Sequence, residues 1–281
     1  MTTGVLLNDR GIIEVTGAES GKFLHSLVTN DVLSLYEDQA RFAALLSPQG
    51  KILADFFIFL SRNGSYFIDC PRSRLDELFK RLTVYKLRAP IALRDRSAEL
   101  AVYACLDPTV TQELDVLAQA PDPRAIFGHR LIASSQPMKT TSNSRPNYEA
   151  RRIALCLPAG DLDFSYNDAF PHEANMDWLN GLDFNKGCYV GQEVVSRMKH
   201  RGSTRKRILR YQSQGPAVEA GATILAGSTV IGVTGSSAND NGLAMIRLDR
   251  LAEAQEKGQN CIAGAAILTF DPLKDLSLIH I

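Results

Sequence analysis

Beyond Gly202 the chain breaks into short β runs, at 208–211, 223–225, 230–234, 243–247 and 266–270, punctuated by glycines. Strands this short and this closely spaced bury their apolar faces against one another, as a small all-β sandwich or barrel. The change of character places a boundary near residue 202 and divides the chain into 1–202 and 203–281.

The first part has a different rhythm. Residues 11–15 read as a strand, and 18–28 as a helix, with Phe23, Leu24, Leu27 and Val28 on one face. Residues 41–46 read as a strand, and 51–60 and 65–70 as a hairpin around Arg62-Asn63-Gly64. Leu75, Leu78, Phe79 and Leu82 mark an amphipathic helix over 71–85, opened by a proline. Strands follow at 91–94 and 99–105, loops at 121–124 and 134–146, and helices at 148–156 and 191–200. This is an α+β core with a β–α–β–β–α–β pattern.

A chain of 281 residues suggests about two domains at ~150 residues each and is long enough for a sizeable core. Basic and acidic side chains balance at 31 each, which argues against a nucleic-acid coat or a membrane-surface protein. The longest clean apolar run, 101–106, is far short of the ~20 residues that a membrane helix needs. Residues 1–10 do not read as a secretory or transit segment, so the expected compartment is the cytoplasm. The five cysteines, Cys70, Cys105, Cys156, Cys188 and Cys261, are odd in number and lack C-x-x-C spacing. No disulfide framework, resident cluster or other bound metal is expected. Residues 276–281 suggest no function.

Chemistry concentrates in 185–202, N-K-G-C-Y-V-G-Q-E-V-V-S-R-M-K-H-R-G. Gly187 and Gly191 bracket Cys188 just ahead of a helix start, where partial positive charge favours a thiolate and Lys186 adds to it. The alternative is a cysteine packed as a small hydrophobe, as the other four are read. Glu193 and Arg197 share a helix face, either as a surface pair or as an anion-binding arginine with its orienting acid. From Arg197 to Arg210 there are seven Lys or Arg and no acid. This stretch reads as an anion site, an RNA contact or a solvated connector.

The string K-G-C-Y-V-G-Q-E at 186–193, with Arg197 and Arg201-Gly202 after it, resembles the signature of the YgfZ family of folate-binding proteins. F-L-H-S-L-V-T-N-D at 23–31, G-K-I-L-A-D-F at 50–56 and P-H-E at 171–173 resemble further elements of that family, so the resemblance spans nearly the whole chain. The family is similar in fold to the glycine-cleavage T-protein, a tetrahydrofolate-dependent aminomethyltransferase. The resemblance implies a T-protein-like ring with a ferredoxin-like folate-binding core, a folate-sized cavity and a C-terminal β-barrel. It also implies an accessory role in assembly or repair of iron–sulfur proteins that needs the signature cysteine, here Cys188, with transient iron–sulfur client or assembly proteins as partners.

The alternative implied by the resemblance is a folate-dependent methyl or aminomethyl transferase. The transferase strand carries two adjacent acids where this chain has Ala54 and Asp55, so one acid is missing. Carried onto this sequence, tetrahydrofolate would meet Glu173 at its pterin edge, Tyr189 and Phe184 along its rings, and Arg197 and Arg201 at its glutamate tail. Asp55, Lys186, Gln192 and Glu193 complete the expected binding set, with Cys188 near the cavity mouth.

Overall fold

The computed structural model describes residues 4–105, 115–134, 144–202 and 204–271. A short strand β1 (Gly4–Leu6) leads into β2 (Arg10–Thr16) and helix α1 (Ser20–Leu27). Strands β3 (Ala40–Leu46), β4 (Ile52–Leu60) and β5 (Tyr66–Pro71) follow as a meander, then α2 (Arg72–Lys86) and β6 (Ala92–Asp95). Strands β2 to β6 form one antiparallel sheet in the order β3-β4-β5-β2-β6. The β–α–β–β–β–α–β succession is the expected ferredoxin-like pattern with one strand added.

β4, sequence ILADFFIFL, shows no apolar/polar alternation because both of its faces are covered. Leu53, Ala54, Phe56 and Ile58 pack with Phe23, Leu24, Leu75, Leu78 and Leu82 of α1 and α2. Phe57 and Phe59 turn the other way, into a second core shared with the rest of the molecule. Asp55 shares their side of the strand and is 6% exposed.

Strand β7 (Leu100–Cys105), β8 (Val116–Pro121) and β9 (His129–Ser134) join β1 in a four-stranded sheet, ordered β1-β7-β9-β8. The sequence reading held no strand at β8 or β9. Their apolar positions are interrupted by Gln119 and Arg130, and Pro121 to Arg124 signals a turn. Helix α3 (Ser144–Ala154) packs beside this sheet. The loop expected at 134–146 falls largely outside the described residues.

A turn-rich segment, 155–191, is pinned to β4 by Asn167 N–H on Ile52 O (2.8 Å) and Ile52 N–H on Ala169 O (3.0 Å). It ends at α4 (Gln192–Arg201).

The remainder is a closed barrel of β10 (Lys206–Gln214), β11 (Thr223–Ala226), β12 (Thr229–Ala238), β13 (Asn241–Arg247), β14 (Cys261–Ala263) and β15 (Ala266–Phe270). Helix α5 (Leu248–Glu256) links β13 to β14. Neither α5 nor β14 was read from sequence, since β14 has three residues. Ile208, Leu209 and Ile246 of the barrel enter the same core as Phe57, Ile132 and Met176, so the barrel packs onto the α+β part. The molecule is α+β with a C-terminal barrel, as the sequence indicates.

Candidate functional site

Three motifs that stand far apart in sequence meet at one corner of the fold. Thr29, at the end of 23–31, donates from Oγ1 to Gly181 O (2.7 Å) and accepts from Ala44 N–H of β3 (2.9 Å). Asn30 Nδ2 donates to Phe42 O (2.8 Å) and Asn180 O (2.6 Å), and Thr29 O accepts from Asp183 N–H (2.9 Å). Asp183 Oδ1 accepts from Asn185 N–H (2.7 Å) and Lys186 N–H (3.2 Å), an Asx turn that starts the signature loop. The loop is then anchored on both sides of the thiol. Lys186 is buried and donates from Nζ to His25 O and Val28 O at the end of α1, while Tyr189 is buried in the central core. Burial pushes the Tyr189 phenol up to about 12, with Asp183 adding to it.

The turn of 50–56 closes the corner. Gly191, the N-cap of α4 at φ 83°, sits so close to that turn that a Cβ there would lie 2.7 Å from Ser47 O and 3.0 Å from Gly50 Cα. Gly50, at φ 78°, meets Val194 in the same way, at 2.9 Å. Only glycine fits both the left-handed backbone and this approach.

Between the two anchors, Gly187 and Cys188 are exposed. A Cβ on Gly187 would meet nothing within 4 Å. Cys70, Cys105, Cys156 and Cys261 are all buried. Burial pushes the thiols of Cys70 and Cys156 up to about 12 and that of Cys105 to about 11.

A separate hollow of about 400 Å³ lies between the large sheet, the start of α2, α3 and residues 158–162. Leu7, Phe57, Pro71, Tyr148, Pro158 and Leu162 form apolar wall, and no lining residue comes from the barrel. Asp55 lines it and accepts a hydrogen bond from Tyr166 Oη through Oδ1. Burial pushes the Tyr166 phenol upward and Asp55 adds to the rise, so it stays a donor.

An ion network forms part of the wall, with Arg10, Arg124 and Arg130 in the lining. The Asp69 carboxylate takes Arg10 Nε (2.5 Å) on one oxygen and Arg130 Nε and Nη2 (3.0 and 2.5 Å) on the other. Asp122 holds Arg124 through two bonds, at 3.0 and 2.9 Å. The guanidiniums of Arg130, Arg124 and Arg10 surround the Phe57 ring at 4.1, 4.8 and 5.7 Å. Burial works against the Arg10 charge, but Asp69 and Asp55 outweigh it and raise its pKa. Arg145 pairs with Asp9, and Arg152 with Asp163. Arg72 alone among the lining arginines has no ion-pair partner among the described residues.

The expected binding set therefore divides. Asp55 faces the hollow; Glu173, Lys186, Tyr189, Gln192, Glu193, Arg197, Arg201 and Phe184 are not in its lining. Glu173 Oε2 accepts from Phe170 N–H (2.9 Å) and closes a turn. Glu193 and Arg197 pair in solvent on α4, and Arg201 is exposed at its end. Phe184 instead lies under Lys199, 3.5 Å away. Cys188 is not at the cavity wall either. Ala54, where the transferase strand carries its other acid, faces α1 and α2 and is not in the hollow's lining. The hollow's arginines escaped the sequence reading because they are scattered from Arg10 to Arg152.

Comparison with known proteins adds four findings. Residues 205–273 match the family model of the CAF17 C-terminal beta-barrel domain. The chain is 34% identical over 238 residues to a Coccidioides immitis protein named iron-sulfur cluster assembly factor IBA57 homolog, mitochondrial, covering 74% of this chain and 56% of that one. A Dictyostelium discoideum protein of the same name is 31% identical over 248 residues, covering 73% and 61%. The chain thus spans little more than half the length of these curated relatives. The crystal structure of the glycine cleavage system aminomethyltransferase T from Bartonella henselae superposes with a TM-score of 0.74 over 97% of this chain and 85% of that one, at 15% identity, which shows the shared fold. The relatives are named as mitochondrial proteins, which overturns the expectation of a cytoplasmic compartment.

Proposed function

We propose that this chain is an iron–sulfur cluster assembly factor, as the proteins similar to it are named, and that the Cys188 side chain is its working group. One observation carries the reading: three distant motifs build a rigid seat whose apex is the one exposed cysteine, with no steric neighbour over Gly187. Among the described residues no group of three or more His, Cys, Asp or Glu is placed to hold a metal. A cluster held by Cys188 would be cargo, completed by a partner protein's ligands. The step is ligand exchange without redox. The Cys188 thiol gives up its proton, a sulfur–iron bond forms, one donor thiolate–iron bond breaks, and the proton ends on the displaced thiolate.

The reduced folate implied by the family resemblance fits the hollow in outline. Its volume suits a ligand of that size. Asp55 Oδ2 would accept from a pterin N–H, Phe57 and Tyr148 would wall the rings, and Arg72 would meet a tail carboxylate. A bound tetrahydrofolate supplies one-carbon chemistry. The division at residue 202, with the folate-holding part before it and the barrel after it, belongs to the same proposal.

Two measurements test these parts separately. Cys188→Ala is expected to leave Tm within about 1 °C, because an exposed side chain carries little stability. The same variant is expected to lose support for iron–sulfur enzyme activity in a strain lacking the protein. Full complementation would remove the thiol's role. Calorimetry with tetrahydrofolate tests the hollow. Asp55→Asn loses a charge-assisted hydrogen bond and is expected to weaken binding by roughly 10- to 100-fold. Equal affinity in both proteins, or no heat with either, would empty the hollow of this ligand. Aminomethyl turnover with a lipoyl-linked donor would favour the transferase instead.

A further inference from the structure

We infer that Lys186 is a positioning residue: it clamps the signature loop onto the end of α1 and thereby fixes where Cys188 is presented. This rests on the reading that Cys188 is the working group. The sequence suggests a different job, a cation that favours the thiolate. The geometry gives Lys186 other partners. Its side chain is 9% exposed, and its ammonium donates to His25 O and Val28 O. Those carbonyls belong to the last turn and C-cap of α1, where helix carbonyls lack intrahelical donors. The Tyr189 ring lies 4.9 Å from the same nitrogen. No hydrogen bond among the described residues runs from it to Cys188.

The charged groups facing Lys186 are Asp31 and Asp183, with His25 drawn toward Asp31 at 2.9 Å. Burial lowers the lysine to about 8 and the two carboxylates oppose the fall. A cation placed here neutralises the carbonyl end of one helix and ties the loop down just before its exposed apex. Tyr189 does the same just after it. With both anchors set, only Gly187 and Cys188 stand free, and a thiol held in place loses little entropy when a partner's metal meets it.

The test reads geometry and charge separately. Cys188 is the exposed cysteine, so its native-state alkylation by iodoacetamide can be followed against pH, alongside backbone hydrogen exchange. Lys186→Met is expected to speed exchange at 186–190 and in the last turn of α1 by roughly tenfold or more. The pH midpoint of alkylation stays where it was. Lys186→Gln, a neutral donor, recovers part of the protection, and Lys186→Arg recovers most of it. If Lys186→Met does not fold, the Gln and Arg variants carry the comparison. A midpoint raised in both Met and Gln variants would assign the lysine to the thiol's charge and overturn the inference. Unchanged exchange would overturn it as well. Complementation by Cys188→Ala is a separate result, which bears on the thiol and leaves these exchange data standing.

Discussion

Asp69→Asn is expected to unfold at a temperature roughly 10 °C below the parent, a loss of about 3–5 kcal/mol. Asp69 has no exposed surface and is shared by Arg10 of β2 and Arg130 of β9. Its removal leaves the buried Arg130 and half-buried Arg10 guanidiniums facing one neutral amide. The cost is that of an uncompensated charge, far above the worth of a solvent-exposed pair. The same carboxylate joins the two sheets, so the loss is spread over the packing between them. Adding Arg130→Met to Asp69→Asn should recover part of the difference, since it withdraws one stranded charge. Glu253→Gln on α5, whose pair with Lys257 lies in solvent, should leave Tm unchanged. Thermal and urea unfolding of the four proteins decides it. A loss below about 1 kcal/mol in Asp69→Asn would mean that water reaches the pair.

Gly191→Ala is the second large effect. A non-glycine residue in the left-handed region costs about 1–2 kcal/mol. The new methyl also points at Ser47 O and Gly50 Cα, backbone atoms that cannot swing aside as a side chain would. Overpacking of that kind adds about 1–3 kcal/mol. The sum, about 2–5 kcal/mol, falls where the α4 start meets the turn into β4. Gly187→Ala, four residues earlier in the same signature, is the control and should be close to neutral in stability. If both alanine variants melt alike, the close approach at Gly191 carries no strain.

Periodicity made much of the fold readable. The Asn63-Gly64 turn marks the β4–β5 hairpin, and Leu75, Leu78 and Leu82 mark the buried face of α2. β8 and β9 were hidden for a physical reason. In β9 the buried Arg130 serves the interior by pairing with Asp69, and so breaks the alternation by which a strand is recognised. The site shows the same contrast. The Cys188 loop is contiguous and therefore visible. The hollow draws Arg10, Asp55, Arg124 and Arg152 from different elements, which only the folded topology brings together. A clue was present all the same: a lone acid inside an apolar strand, Asp55 in β4 or Asp69 in β5, must have a buried partner. Arg197 and Arg201 stand on an exposed part of α4 outside the hollow's lining, since motif membership says nothing of the direction in which a helix face points.

The knot at Thr29 and Asn30 has a consequence for how the molecule behaves among copies of itself. β3 is the outermost strand of the large sheet, and its free side is already occupied: Thr29 N–H donates to Ala44 O (3.1 Å), Ala44 N–H is taken by Thr29 Oγ1, and Asn30 covers Phe42 O. An open strand edge is a template for strand addition and aggregation. The residues that seat the signature loop therefore also seal that edge, and a lesion that loosens them would open it to strand addition.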